Sequence, residues 1–349
     1  MDEDTSKNLG TATLADIAEA AGVTPATVSK ALNQRSGVSE SKRQEILQLI
    51  EKTGYQRRAS RPNALKLQSI TLVAPERFAA GGSVYGEILR NISAEAGQAE
   101  IKIALQLLPN EYVTSEYVSA LFSAGTPQSI ILLGIDEPGV LDAVAQLDCP
   151  KVIANGSDPI MRITSVGPDN RFAGWLATRH LLEHGHRDIV HISHLTRRSI
   201  RDRLDGFREA LSEYDIQFDP DKHLLILPKH GISAQEARVA TEAFFAERNP
   251  QCTAFFCATD MLAVGVTQAL VARGARVPED YSIIGVDNLP MCVHHAPPLT
   301  SIQINLAGIG KTAVRELQDQ LLRPETSVRR INLGVQLFPR QSVVAPRSR

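Results

Sequence analysis

Residues 13–33 constrain this chain most tightly, because two short helical stretches are separated there by almost nothing. Thr13 opens the first, with Asp16 three positions on, a pairing that satisfies orphan N–H groups at a helix start. Leu14, Ile17, Ala18 and Ala21 follow at helical spacing. Gly22 stops the run, since glycine takes the left-handed backbone of a helix C-terminus. Thr24 and Pro25 restart it at once, one suited to the N-cap and the other to the first helical position. The second helix runs through Val28, Ala31 and Leu32. Two helices joined so tightly, with small Ala18 and Ala21 letting them approach, make a helix-turn-helix. A third helix is expected from Ser39 to Thr53, with Ile46, Leu49 and Ile50 as its apolar stripe and Gly54 as its end.

Charge points the same way. The chain has 349 residues with a net charge of −2, which argues against a general nucleic-acid binder. Residues 24–69, however, hold nine basic residues against three acids, a net +6 on an otherwise acidic body. A basic module on an acidic body is the footprint of a DNA-binding head. In a helix-turn-helix the second helix enters the major groove of double-stranded DNA, N-terminal side chains first. The candidates there are Thr24, Pro25, Ala26, Thr27, Ser29, Lys30 and Asn33. Thr27, Ser29 and Asn33 suit phosphates, and Lys30 suits guanine or phosphate. Pro25 and Ala26 offer only apolar contact, so direct base readout should be sparse.

Other classes are disfavoured. No run of about 18 apolar residues suggests a membrane span. The acidic start, Met1-Asp2-Glu3-Asp4, is no secretory signal, so a cytoplasmic protein is expected. The four cysteines are scattered, which argues against a disulfide framework. His180 and His184 have the i, i+4 spacing of a metal pair, but no Glu lies between them as in H-E-x-x-H. They sit at a helix end, where histidine more often caps carbonyls. With no phosphate loop or nucleophile elbow either, neither an enzyme nor a cofactor is expected.

From residue 70 short β-rich apolar runs alternate with amphipathic stretches. Candidate strands are 70–74, 101–107, 130–134, 152–154, 189–192, 224–227, 254–257 and 282–286. Candidate helices are 84–98, 170–184, 201–213, 233–247, 260–273 and 306–322. The alternation predicts parallel sheet covered by helices on both faces, and the body's length calls for two lobes. Ligands of such sheets bind beyond the carboxyl ends of the strands.

Residues 13–55 carry D-I-A-x-x-A-G-V, T-V-S-K-x-L-N, V-S-x-x-x-R and G-Y, and so closely resemble the head of the lactose-repressor (LacI/GalR) family of transcriptional regulators. The body resembles the same family in V-G-P-D-N (166–170), R-L-D-G-F (203–207), A-T-D-M-L-A-V-G (258–265) and I-I-G-V-D-N (283–288). The resemblance implies an all-α helix-turn-helix head on a two-lobed α/β effector domain of the periplasmic-binding-protein type I fold. It divides the chain into a disordered tail (1–12), head (13–55), hinge (56–69) and effector and dimerisation domain (70–349). Lobe one is then about 70–167 plus 300–330, and lobe two about 168–299 plus 331–349.

It further implies a homodimeric repressor of a catabolic operon that reads a pseudo-palindromic operator. A small-molecule effector between the lobes would control it, with a protein partner in that role as the alternative. A family hinge helix pushes a leucine into the minor groove, a type of wedge that kinks the duplex. Counting from Tyr55, that position falls on Ala64; a helix started by Pro62 would instead present Leu65. Arg57 and Arg58 serve phosphates. In the cleft, Arg203 matches the effector-binding arginine and Asp287 the acid that takes bonds from a sugar or purine. Arg197 and Ser199 stand where a purine-responsive member holds its ligand. Thr259 stands where sugar-binding members often have Asn, and Asn155 replaces an Asp. Ile232 and Leu306 replace stacking rings, which weakens a plain-hexose assignment. Four arginines within 197–203 suggest an anionic effector, such as a sugar acid or phosphorylated metabolite; Arg198 and Arg201 read more plainly as surface charges.

Overall fold

The computed structural model describes residues 14–24, 27–28, 31, 39–53, 66–76, 83–109, 114–123, 125–228, 233–248 and 251–347. It divides into two compact units, Met1–Leu65 and Lys66–Arg349. In the first, α1 (Leu14–Ala20) and α2 (Glu40–Thr53) enclose a small core of Ile17, Ala18, Ala21, Val28, Ala31 and Ile46. Gly22 takes φ +62°, and the Val23 N–H turns back to the Ala18 carbonyl at 2.9 Å. The expected glycine stop is therefore present.

The second unit holds two six-stranded sheets. In the first sheet β1 (Ser69–Pro75), β2 (Lys102–Leu108), β3 (Ile130–Leu133), β4 (Lys151–Ala154), β5 (Thr164–Pro168) and β11 (Arg330–Leu333) lie in the order β11-β5-β4-β3-β1-β2, all parallel. The second sheet contains β6 (Ile189–Ser193), β7 (Leu224–Ile226), β8 (Ala254–Cys257), β9 (Ser282–Asp287), β10 (Thr300–Ile304) and β12 (Val335–Phe338). Their order is β12-β10-β9-β8-β6-β7, parallel except for β12 against β10. Ile130–Leu133 and Ala254–Cys257 are buried along their whole length, as strands covered on both faces must be.

Helices α3 (Val84–Gln98), α4 (Ser115–Leu121), α5 (Pro138–Ala145) and α12 (Leu306–Leu322) belong to the first lobe. Helices α6 (Asn170–Glu183), α7 (Arg198–Glu213), α8 (Pro220–His223), α9 (Ala234–Arg248), α10 (Asp260–Ala272) and α11 (Met291–His294) belong to the second. Two glycines set the closest helix contact. A Cβ on Gly206 of α7 would stand 1.9 Å from the Arg171 carbonyl oxygen, and one on Gly174 of α6 2.0 Å from that of Arg203.

The expected boundaries shift by a few residues. Leu67 is buried in the first lobe's core, and the Gln128 side-chain oxygen accepts the Gln68 and Ser69 N–H groups at 2.8 Å. The body thus begins inside the expected hinge. Residues 300–304 pair with β9, so the chain returns to lobe one after them rather than at 300; β11 keeps 330–333 in lobe one.

Candidate functional site

In the first unit Thr24 and Thr27 are described. The Thr24 hydroxyl accepts the Thr27 N–H at 3.3 Å, and its carbonyl accepts Val28 N–H at 3.2 Å, so Thr24 caps the second helix as its sequence position suggested. Ser39 does the same for α2, accepting Lys42 N–H at 3.4 Å. Pro25, Ala26, Ser29, Lys30, Asn33, Arg57, Arg58, Ala64 and Leu65 lie outside the described residues, as do the expected tail and Ile232.

In the second unit the candidate side chains stand at the carboxyl ends of strands. Asn155 follows β4, Arg197 follows β6, Thr259 follows β8 and Asp287 ends β9. Arg203 lies one turn into α7, on the face packed against β6 and β8. It is buried. Its Nε donates to the Asn170 side-chain oxygen at 3.0 Å, Nη1 to the Ala258 carbonyl, and Nη2 to Asp287 Oδ1 at 3.4 Å. Burial pushes the Asp287 carboxyl upward and nearby Asp260 adds to this, while Arg203 pulls it down.

The turn that presents Asp287 is strained. Asp287 and Asn288 have φ of +116° and +52°, conformations that cost energy for non-glycine residues. Buried Asp260 holds them, accepting Leu289 N–H at 2.9 Å and the Ser301 hydroxyl at 2.6 Å; Ser301 in turn accepts Asn288 N–H at 3.0 Å. Gly285 is needed beside it, since a Cβ there would lie 2.3 Å from Asp260 Oδ1. Nothing in the sequence reading marked Asp260, Ser301 or Asn170 as a support.

Arg197 does something different. It ends the loop after β6 in lobe two, yet its Nε donates to Asp136 Oδ2 at 3.1 Å and its Nη2 to the Asn155 carbonyl at 2.7 Å, both in lobe one. The guanidinium also lies 5.5 Å from the centre of the Tyr85 ring at the start of α3. Asp136 and Tyr85 were not singled out from sequence. The available signal was position: Asp136 sits just past the carboxyl end of buried β3. Burial pushes the Asp136 carboxyl up to about 6, against the Ser157 N–H that donates to it at 2.8 Å.

The remaining candidates divide. The Asn155 side-chain amide and the Ser199 hydroxyl make no hydrogen bond to a described residue, whereas the Asn155 backbone N–H donates to the Val166 carbonyl at 2.8 Å. The Thr259 hydroxyl caps α10 by accepting Leu262 N–H at 3.3 Å. Leu306, like Val84, packs against the cores of both lobes. Arg198 pairs with Asp202 at 3.9 Å and exposed Arg201 donates to the Leu195 carbonyl at 2.8 Å, so these two are surface groups. Each cleft arginine thus already faces a carboxylate.

The clustered histidines are structural. His184 meets its own helix at the His180 carbonyl, 2.7 Å away. The His186 ring joins Thr253 and the Val344 carbonyl, both at 2.8 Å. His191 stacks on Phe256, ring centres 4.3 Å apart, and burial lowers it to about 3. Among the described residues no group of acids, histidines or cysteines could hold a metal, and no helix is long and apolar enough to cross a membrane.

Residues 13–58 match the model of the bacterial regulatory proteins, lacI family, and residues 178–343 match a periplasmic binding protein-like domain. Among curated relatives, the HTH-type transcriptional repressor PurR of Pasteurella multocida is 26% identical over 337 residues, covering 95% of this chain and 98% of that protein. The HTH-type transcriptional regulator MalR of Streptomyces coelicolor is 28% identical over 330 residues, 89% of this chain and 90% of its own length. Among solved structures, the lac repressor dimer bound to operator and the anti-inducer ONPF superposes with a TM-score of 0.70 at 25% identity, covering 96% of this chain and 100% of that one. A LacI family regulator from Enterococcus faecium with bound ribose gives 0.67 at 26% identity, over 80% of this chain and 100% of that one.

Proposed function

Because the chain belongs to the lacI family of bacterial regulatory proteins and is a DNA-binding transcriptional regulator rather than an enzyme, we propose that it is a repressor whose operator affinity is set by a small molecule held between the lobes. The observation that carries the reading is the meeting of charged groups at facing strand ends: Arg203 and Asp287 in one lobe, Arg197 reaching Asp136 and Asn155 in the other. Ligands of open parallel sheets bind there.

The head would place Thr24, Pro25, Ala26, Thr27, Ser29, Lys30 and Asn33 at the major groove. Arg57 and Arg58 would serve phosphates, with Ala64 or Leu65 at the minor groove. The repressor would work in the cytoplasm as a homodimer on a pseudo-palindromic operator, since two-fold protein symmetry calls for two half-sites. The lac repressor relative is a dimer on its operator, and the E. faecium relative holds ribose, which supports a polar, sugar-sized effector here. Asn155, Arg197, Ser199, Arg203, Ile232, Thr259, Asp287 and Leu306 would line its site. The effector shifts the balance of two lobe arrangements by its different affinity for each, and the operator affinity follows.

Selection of duplexes from a random library by the full chain tests the DNA half. Inverted half-sites should be enriched, and Lys30→Ala should lower affinity for them, with the salt slope reduced by about one if Lys30 meets a phosphate. Absence of any enriched sequence would refute it. Thermal-shift screening of sugars and sugar acids tests the other half: an effector at about a hundred times its Kd adds about 2.7 kcal/mol. A chain that no metabolite stabilises would point to control by a protein partner.

A further inference from the structure

The two arginine–carboxylate pairs of the cleft are built differently. Arg203 takes every partner from its own lobe, and its pair with Asp287 is 5% and 6% exposed. Lobe movement need not break it. Arg197 takes Asp136 and Asn155 from the facing lobe, and its pair is 14% and 18% exposed. Lobe opening must break both bonds.

The edge that Arg197 offers is also divided. Its Nε meets one acceptor, Asp136, and its Nη2 another, the Asn155 carbonyl. That edge of a guanidinium matches the two oxygens of one carboxylate or phosphate group, which would take both donors together. The charge balance sets a condition. With Asp136 and Asp287 both ionised, two arginines face two carboxylates, so an added anion would leave a negative excess.

We propose that Asp136 is a resident counter-ion, displaced from Arg197 by the oxyanion group of a small effector, and that Asp136 takes one proton from solvent as it gives way. The exchange rests on reading the cleft as an effector site, and names the effector's class as a carboxylate- or phosphate-bearing metabolite. The surroundings of Asp136 suit it. Burial pushes its carboxyl up to about 6, with Glu137 and Asp202 adding to the rise, while the Ser157 N–H and the Arg201 charge oppose it. Near neutral pH it is a poorly solvated anion, ready to become neutral once its partner is taken.

Titration of the full chain with sodium acetate, and separately with sulfate, at constant ionic strength tests this. Sulfate has phosphate's shape and does not titrate in the range used. Wild-type affinity for both anions should rise about tenfold from about pH 7.5 to about pH 5.5, because protonation of Asp136 is linked to binding. Asp136→Asn should bind them about tenfold more tightly than wild type at about pH 7.5, with little pH dependence. Arg197→Gln should bind neither. Circular dichroism checks the folding of the variants; should Asp136→Asn not fold, the wild-type pH dependence and Arg197→Gln still decide. Equal binding by all three proteins, or a flat wild-type profile, overturns the exchange. If neutral sugars stabilise the wild type while these anions do not discriminate, the exchange fails and the effector site stands. If no metabolite stabilises the chain, the effector reading itself fails whatever the anions show.

Discussion

Arg203 and Arg197 lie six residues apart, yet one is walled in by its own lobe and the other reaches across the seam. Around Arg203 every acceptor comes from the second lobe: Asn170, the Ala258 carbonyl and Asp287. Arg197, by contrast, donates to Asp136 and to the Asn155 carbonyl of the first. The same side chain is therefore an internal brace in one place and an exchangeable link in the other. The difference is set by where the partner is anchored, and by how much water reaches it.

Mutations should separate the two. Arg203→Ala leaves Asp287 buried without its cation and should cost about 3–5 kcal/mol in urea unfolding. A loss near that of an ordinary surface change would show that Arg203 is no brace. Gly206→Ala, which drives a Cβ into the Arg171 carbonyl, should cost about 1–3 kcal/mol or more by parting α6 from α7. Arg197→Ala should cost less, about 1–3 kcal/mol, because the buried Asp136 it strands can take a proton and the pair bridges lobes that fold on separate cores. Arg201→Ala, on the outer face of α7, should stay within about 0.5 kcal/mol. A reversed order of Arg203 and Arg197 would break the comparison.

Acid sharpens it further. Burial holds His191 at about 3 and His194 at about 4, below the ordinary histidine value of 6.5, so the folded second lobe favours their neutral forms. Their contribution is whole above pH 6.5 and is lost as pH falls toward those values. Asp136, raised to about 6 from 3.8, runs the other way: its contribution is whole below about 3.8 and is lost as pH rises through about 6. Melting temperatures should drop between pH 6.5 and 4, and His191→Phe should flatten part of that drop. A profile identical to wild type would remove His191 from the account.

Much of the fold was legible because local chemistry and global packing agreed. Gly22 and Thr24 announced the turn of the head, and apolar runs such as Ile130–Leu133 announced buried parallel strands. β5 and β10 were not read as strands because Thr164–Pro168 and Thr300–Ile304 mix small polar residues with a Gly and a Pro or a Gln. β11 and β12 are short and take their sheet identity from distant partners. Helices α4 and α5, with seven and eight residues, carry too few turns for a clear period. In the cleft, Arg203 and Asp287 could be named by resemblance. Asp136 could not, since Ile135-Asp136-Glu137 has no local signature and only the fold carries it to Arg197. The arginine run looked like a charged pocket, but the helical turn sends Arg198 and Arg201 outward and leaves each inward arginine facing a carboxylate.

The central claim is that the cleft governs how tightly DNA is held. Fluorescence anisotropy of the full chain on its selected operator, comparing wild type with Arg197→Ala, tests it most directly. Arg197 belongs to the second unit, so a shift of about fivefold or more in operator Kd, in either direction and with the fold intact, is the result expected from coupled sites. Unchanged operator affinity in Arg197→Ala, and again in Asp136→Asn, would contradict it.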